Sequence, residues 1–114
     1  MLDLDETLIH YIEMTMAQGD DPNDHVGGGH FLIRPGAQMF LQEMSKIYEL
    51  VIFTAAMQDY ADWVLDQLDT EGYISYRLYR QHAIRENHVY LKDLTLLGRD
   101  LAKTVIVDNV AANF

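Results

Sequence analysis

The sequence predicts an α/β domain built on a parallel sheet, and three observations predict it. Apolar runs are short and each halts at a polar residue: Met1-Leu2 at Asp3, Leu50–Phe53 at Thr54, Val105–Val107 at Asp108. Runs of that length, rich in β-branched residues, fit strands buried on both faces. Between them lie stretches with helical apolar spacing. Strands alternating with helices across short joints imply parallel pairing.

The elements follow in chain order. Pro35 and Gly36 open a helix whose apolar face carries Phe40, Leu41, Met44 and Tyr48. A second helix runs from about Asp59 to Leu68, with Tyr60, Ala61, Val64, Leu65 and Leu68 on one face and Asp59 as its N-cap. Gly72 closes that unit. Tyr76–Tyr79 and Val89–Leu91 read as further short strands. Trp63 and the methionines at helical spacing read as core. Gln18–His30, with Pro22, its acidic cluster and Gly27-Gly28-Gly29, reads as a mobile hairpin tip. A glycine triplet that follows a loop, not a strand, is a poor phosphate cradle.

Composition narrows the function. The chain has 114 residues, enough for one domain, and 49% of them are hydrophobic, enough for a core. It has no cysteine, which excludes disulfides, thiolate metal sites and a cysteine nucleophile. A net charge of −10 opposes direct nucleic-acid binding. A phosphorylated ligand would need a cation and placed basic groups to reverse that field locally. No membrane-spanning run or targeting segment is evident. The histidines His10, His25, His30, His82 and His88 show no metal-ligand spacing.

In open α/β sheets, ligands bind beyond the carboxyl ends of the strands. Asp3, Thr54 and Asp108 each stand at such an end, so three segments bring polar groups to one rim. Asp3 and Asp5, two apart in extended chain, share a side. Like charges that close require a cation or a shared proton. Mg²⁺ answers this with hard oxygen ligands, and Asp108-Asn109 offers more of them. With Lys92 as an ammonium for phosphoryl oxygens, the parts fit phosphoryl transfer through a nucleophilic carboxylate.

Four motifs, "DLDETL" at 3–8, "FTAA" at 53–56, "YLKDL" at 90–94 and "IVDN" at 106–109, resemble the haloacid dehalogenase superfamily. With "RPG" at 34–36, "YRLYRQH" at 76–82 and "LGRDLAKTVIVDN" at 97–109, they resemble its FCP1/SCP-like phosphatases more narrowly. The resemblance implies a three-layer Rossmann-like fold with a parallel central sheet and a small β insertion. It implies that residues 1–114 are an FCP1-homology phosphatase domain, and the short flanks lead us to expect one cut short at both ends. The implied activity is Mg²⁺-dependent phosphoserine/threonine hydrolysis on the RNA polymerase II C-terminal domain or another phosphoprotein.

By the same resemblance, Asp3 takes the phosphoryl group as an aspartyl phosphate, and Asp5 protonates the leaving oxygen and then activates water. Mg²⁺ binds Asp3, the Asp5 carbonyl and Asn109, with Asp108 close by. Thr54 and Lys92 hold phosphoryl oxygens. Arg80 contacts substrate phosphate and Tyr60 lines a substrate pocket. On the residues alone, Tyr60 fits core packing and Arg80 a surface ion pair equally well. "GYISYRLYR" at 72–80 also resembles Tim50-like presequence-binding subunits of mitochondrial import, a binding module whose basic ligands would suit a −10 surface. The expected compartment is nucleus or cytoplasm for the phosphatase, and the mitochondrial inner membrane for the alternative. A small-molecule phosphatase is disfavoured, since no large cap insertion fits between Leu8 and Thr54.

Overall fold

The computed structural model describes residues 1–12 and 30–110. Six strands and two α-helices alternate along them: β1 (Ile9–Ile12), β2 (His30–Ile33), α1 (Ala37–Ser45), β3 (Val51–Phe53), α2 (Gln58–Leu68), β4 (Tyr76–Leu78), β5 (Ile84–Glu86) and β6 (Val89–Leu91). Short 3₁₀ turns follow β4 and β6.

The parallel sheet is assembled from pieces distant in sequence. β3 pairs in parallel with β4, Val51 opposite Tyr76 and Phe53 opposite Leu78. Leu2 bridges in parallel to Ile52 on one side and Val107 on the other. The Leu2 amide donates to the Val51 carbonyl at 2.8 Å, and the Asp3 amide to the Val107 carbonyl at 2.9 Å. Across this sheet the order is therefore Val107, Leu2, β3, β4.

Two strand expectations need correction. Met1-Leu2 and Val105–Val107 enter the sheet only through single bridges, not as strands. Val107 has Leu2 as its only sheet neighbour among the described residues, so Val105 and Val107 are 57% and 42% exposed instead of buried on both faces. The described residues thus form part of a parallel α/β sheet, short of a complete three-layer Rossmann core.

Each helix follows from its apolar spacing. α2 buries Ala61, Val64, Leu65 and Leu68, the i, i+3, i+4, i+7 face of a helix on a core. Its N-cap is Met57, not Asp59, which lies in the first turn and accepts from the Tyr60 amide. α1 starts after Gly36, whose φ of +84° is the left-handed conformation that favours glycine. It buries Ala37 and Leu41, while Phe40 is exposed and Tyr48, expected on the same face, lies exposed beyond the helix end at Ser45. Met39 and Met57 are likewise exposed, whereas Met44 and Trp63 pack partly against the core. Leu2, Leu4, Leu8, Ile9, Leu50, Ile52 and Tyr79 complete that core.

Two antiparallel hairpins flank the sheet. β1 pairs with β2, Ile9 opposite Ile33. The glycine-rich tip expected between them lies, apart from His30, outside the described residues. β5 pairs with β6 around Asn87 and His88, both at positive φ, as a two-residue type I′ turn requires. Among the described residues, no helix is long and apolar enough to cross a membrane.

Candidate active site

Beyond the carboxyl ends of the parallel segments lies an open cleft of about 600 Å³, lined by Asp3, Asp5, Thr54, Tyr60, Arg80 and Asn109 among others. Six of the eight side chains predicted for the site therefore face one space. Their backbone causes are visible. Asp3 and Asp5 follow the Leu2 bridge, Thr54 follows β3, Arg80 follows β4, and Asn109 follows the Val107 bridge.

The other two, Lys92 and Asp108, stand behind Asp3. Lys92 is 2% exposed, and its ammonium donates to Asp3 Oδ1 at 3.0 Å and Asp108 Oδ2 at 2.5 Å. A lysine so deeply buried requires such partners. The remaining Asp108 oxygen accepts from the Val110 amide at 2.9 Å. Both carboxylate oxygens of Asp108 are thus engaged within the protein.

Asp3 Oδ2 has the Thr7 hydroxyl at 3.4 Å. Burial pushes the Asp3 carboxyl up from its ordinary 3.8; Lys92 pulls it down and the nearby Asp108 charge adds to the rise. Asp5 is also pushed up, chiefly by burial, with the Tyr60 hydroxyl pulling against it. The Tyr60 hydroxyl donates to Asp5 Oδ1 at 2.7 Å, and burial followed by that contact raises the phenol far above its usual 10.0. The two carboxylates therefore differ in partner: Asp3 faces an ammonium, Asp5 a phenol.

Thr54 is buried, its hydroxyl accepting from the Ala56 amide at 3.1 Å. The Arg80 Nε donates to the Ala55 carbonyl at 2.6 Å, and its guanidinium lies 4.9 Å from the centre of the Tyr90 ring. That carbonyl fixes Arg80 at the cleft, against the surface ion-pair alternative. Tyr60 meets Tyr11 edge-on at 5.6 Å and Trp63 at 6.3 Å, so its ring is packed while its hydroxyl serves the site.

Sequence reasoning did not single out Thr7, Tyr11 or Tyr90. Thr7 and Tyr90 sit inside motifs quoted for other residues, and that position was their signal. Tyr11 lies on β1 and carries none.

For a metal, no three acidic or histidine side chains among the described residues converge as a ligand set. The oxygen donors lining the cleft are instead the carboxylates of Asp3, Asp5 and Glu6, the Asn109 side-chain amide and nearby backbone. That hard-oxygen set, with no three side chains converging on one point, fits an ion such as Mg²⁺ that retains several waters.

A family model for NLI interacting factor-like phosphatases matches residues 1–114, the whole chain. The chain belongs to that family. As an NLI interacting factor-like phosphatase domain, it is 36% identical over 119 residues to phosphatase PSR1 of Saccharomyces cerevisiae, covering 100% of the chain and 28% of that relative. It is 41% identical over 119 residues to the mouse carboxy-terminal domain RNA polymerase II polypeptide A small phosphatase 2, covering 100% of the chain and 44% of that relative. Its structure is similar to that of Fcp1, an essential RNA polymerase II CTD phosphatase, with a TM-score of 0.76 at 25% identity, covering 99% of this chain and 37% of that one. The phosphatase domain thus spans less than half the length of these relatives. The FCP1/SCP-like resemblance is borne out, and Fcp1 is the fold it implies.

Proposed function

We propose that this domain hydrolyses phosphoserine or phosphothreonine esters of proteins through an aspartyl phosphate on Asp3. One observation carries the reading: Asp3 and Asp5 open onto the same cleft with Thr54, Arg80 and Asn109, while Lys92 backs Asp3 from the core. The names of the relatives, phosphatases of a polymerase tail among them, support a phosphoprotein substrate.

The chemistry follows from the partners. Asp3 Oδ2 attacks phosphorus and a new P–O bond forms to the carboxylate. The bond from phosphorus to the serine or threonine oxygen breaks, and Asp5 gives that oxygen its proton. Water then attacks phosphorus, Asp5 takes its proton, and the acyl phosphate opens to release inorganic phosphate and free Asp3. Burial, by raising Asp5, favours the protonated form the first step consumes. Lys92, held at Asp3 Oδ1, opposes the rise that burial imposes on the nucleophile and favours its ionised form. Arg80 and the Thr54 region offer donors to the phosphoryl oxygens. Mg²⁺, held by Asp3, Asn109 and the Asp5 carbonyl, would supply charge neutralisation at the phosphoryl group. Asp108, engaged by Lys92 and Val110, would orient Lys92 instead of supplying a free ligand oxygen.

The test is release of phosphate from a phosphoserine peptide, with and without Mg²⁺, by the wild-type protein and Asp3→Asn. We expect Mg²⁺-dependent turnover by the wild type alone. Turnover by the folded Asp3→Asn protein refutes the nucleophile. No turnover by the wild type, together with binding of a basic amphipathic presequence peptide, replaces the enzyme with the import-receptor reading.

A further inference from the structure

The eight lysines and arginines are not used alike. Lys46, Arg77, Lys92 and Arg99 each have a carboxylate partner. Arg80 and Arg85 have none among the described residues, yet both guanidiniums lie against one ring, Tyr90, at 4.9 and 5.9 Å from its centre. The arrangement is built by the hairpin register. Arg85 on exposed β5 stands directly opposite Tyr90 on β6, so the two side chains share a face. Arg80 reaches the same ring from the 3₁₀ turn after β4 while also lining the cleft with Asp3 and Asp5. Tyr90 thus links the cleft to a second arginine outside it.

In a chain of net charge −10, two unneutralised arginines on one aromatic ring form a local basic step. Arg80 at the cleft belongs with the transferred phosphate. Arg85 has no such duty, and it is exposed, always charged and braced by Tyr90. We propose that Arg85 and Tyr90 form a subsite for a second anionic side chain of the substrate, close in sequence to the phosphorylated residue. The proposal rests on the phosphoprotein reading above. Its ligand chemistry is an anionic group, supplied by either a carboxylate or a second phosphate.

Three phosphoserine peptides test it, identical except for one nearby position carrying alanine, glutamate or a second phosphoserine. The wild-type protein should prefer both anionic peptides over the neutral one. Arg85→Ala should lower kcat/KM for the anionic peptides about two- to fivefold, the scale of an exposed ion pair, and leave the neutral peptide unchanged. Arg85→Glu should lower it further and reverse the preference. Loss confined to one anionic peptide identifies that group as the ligand. Equal loss on all three peptides, or no preference in the wild type, overturns the subsite. The same peptides are titrated directly onto Asp3→Asn protein, with and without Arg85→Ala. Should no peptide be turned over, a preference for anionic peptides that depends on Arg85 in this binding assay keeps the subsite and removes the catalytic reading; its absence removes the subsite.

Discussion

Tyr60 shows how a single residue can serve two ends. Its ring packs on Tyr11 and Trp63 while its hydroxyl holds Asp5 at 2.7 Å. A phenol that donates to Asp5, the residue we propose transfers the proton, fixes the direction of its carboxylate. Tyr60→Phe should lower kcat about tenfold or more, the value of a hydrogen bond to a charged group, with KM nearly unchanged. A rise in KM at constant kcat would assign Tyr60 to substrate binding instead. A second residue, Asp62, ties α2 to β4. It accepts from the Tyr79 hydroxyl at 2.6 Å and Arg77 at 3.0 Å. Burial alone would raise Asp62, but these two bonds, the Arg77 charge and Gln58 together outweigh it and hold the carboxyl below its ordinary 3.8. A depressed carboxyl stabilises the fold above its unfolded value, and the contribution is lost as pH falls through the folded value. Between about pH 5 and pH 2, wild-type stability should therefore fall more than that of Asp62→Asn, as read by urea unfolding at each pH. Parallel losses in the two proteins would contradict this role.

At the scale of elements, legibility tracked periodicity. α2 was readable because Ala61, Val64, Leu65 and Leu68 repeat at helical spacing and are the residues buried. Leu65 is fully buried, so Leu65→Ala should cost about 2–5 kcal/mol in chemical unfolding. A loss below ~1 kcal/mol would place α2 off the core. The β5–β6 turn was harder to read because Asn87-His88 lacks the glycine that usually marks a type I′ loop. The N-cap was misplaced for a similar reason. Asp59 has the right chemistry, yet the helix begins one residue earlier, and the carboxylate bonds the adjacent amide. α1 was placed correctly by Gly36, but its outer face was not. Phe40 keeps helical spacing without burial and Tyr48 falls past the helix end at Ser45, and spacing alone shows neither what covers a face nor where it stops.

At the scale of the molecule, the site exists because the chain's distant parts converge. Lys92 bonds a carboxylate 89 residues away at Asp3 and another 16 residues away at Asp108. Composition could place Asp3, Thr54 and Asp108 at one rim, since each ends an apolar run. It could not show that Lys92 lies beneath that rim with Asp108, because burial of a lysine leaves no periodic signature. Lys92→Met, similar in length and uncharged, would leave Asp3 and Asp108 buried without their cation. Such a break should cost about 3–5 kcal/mol, seen as a lowered midpoint in chemical unfolding. An unchanged midpoint would mean that the pair contributes nothing to the fold.

The most direct measurement is rapid acid quenching of the protein with phosphopeptide and Mg²⁺, followed by mass analysis of its peptides. Our account predicts one added phosphoryl group, carried by the peptide containing Asp3, appearing during turnover and absent from Asp3→Asn. Turnover with no phosphoryl group on that peptide at any quench time, or with the group on another residue, would contradict it.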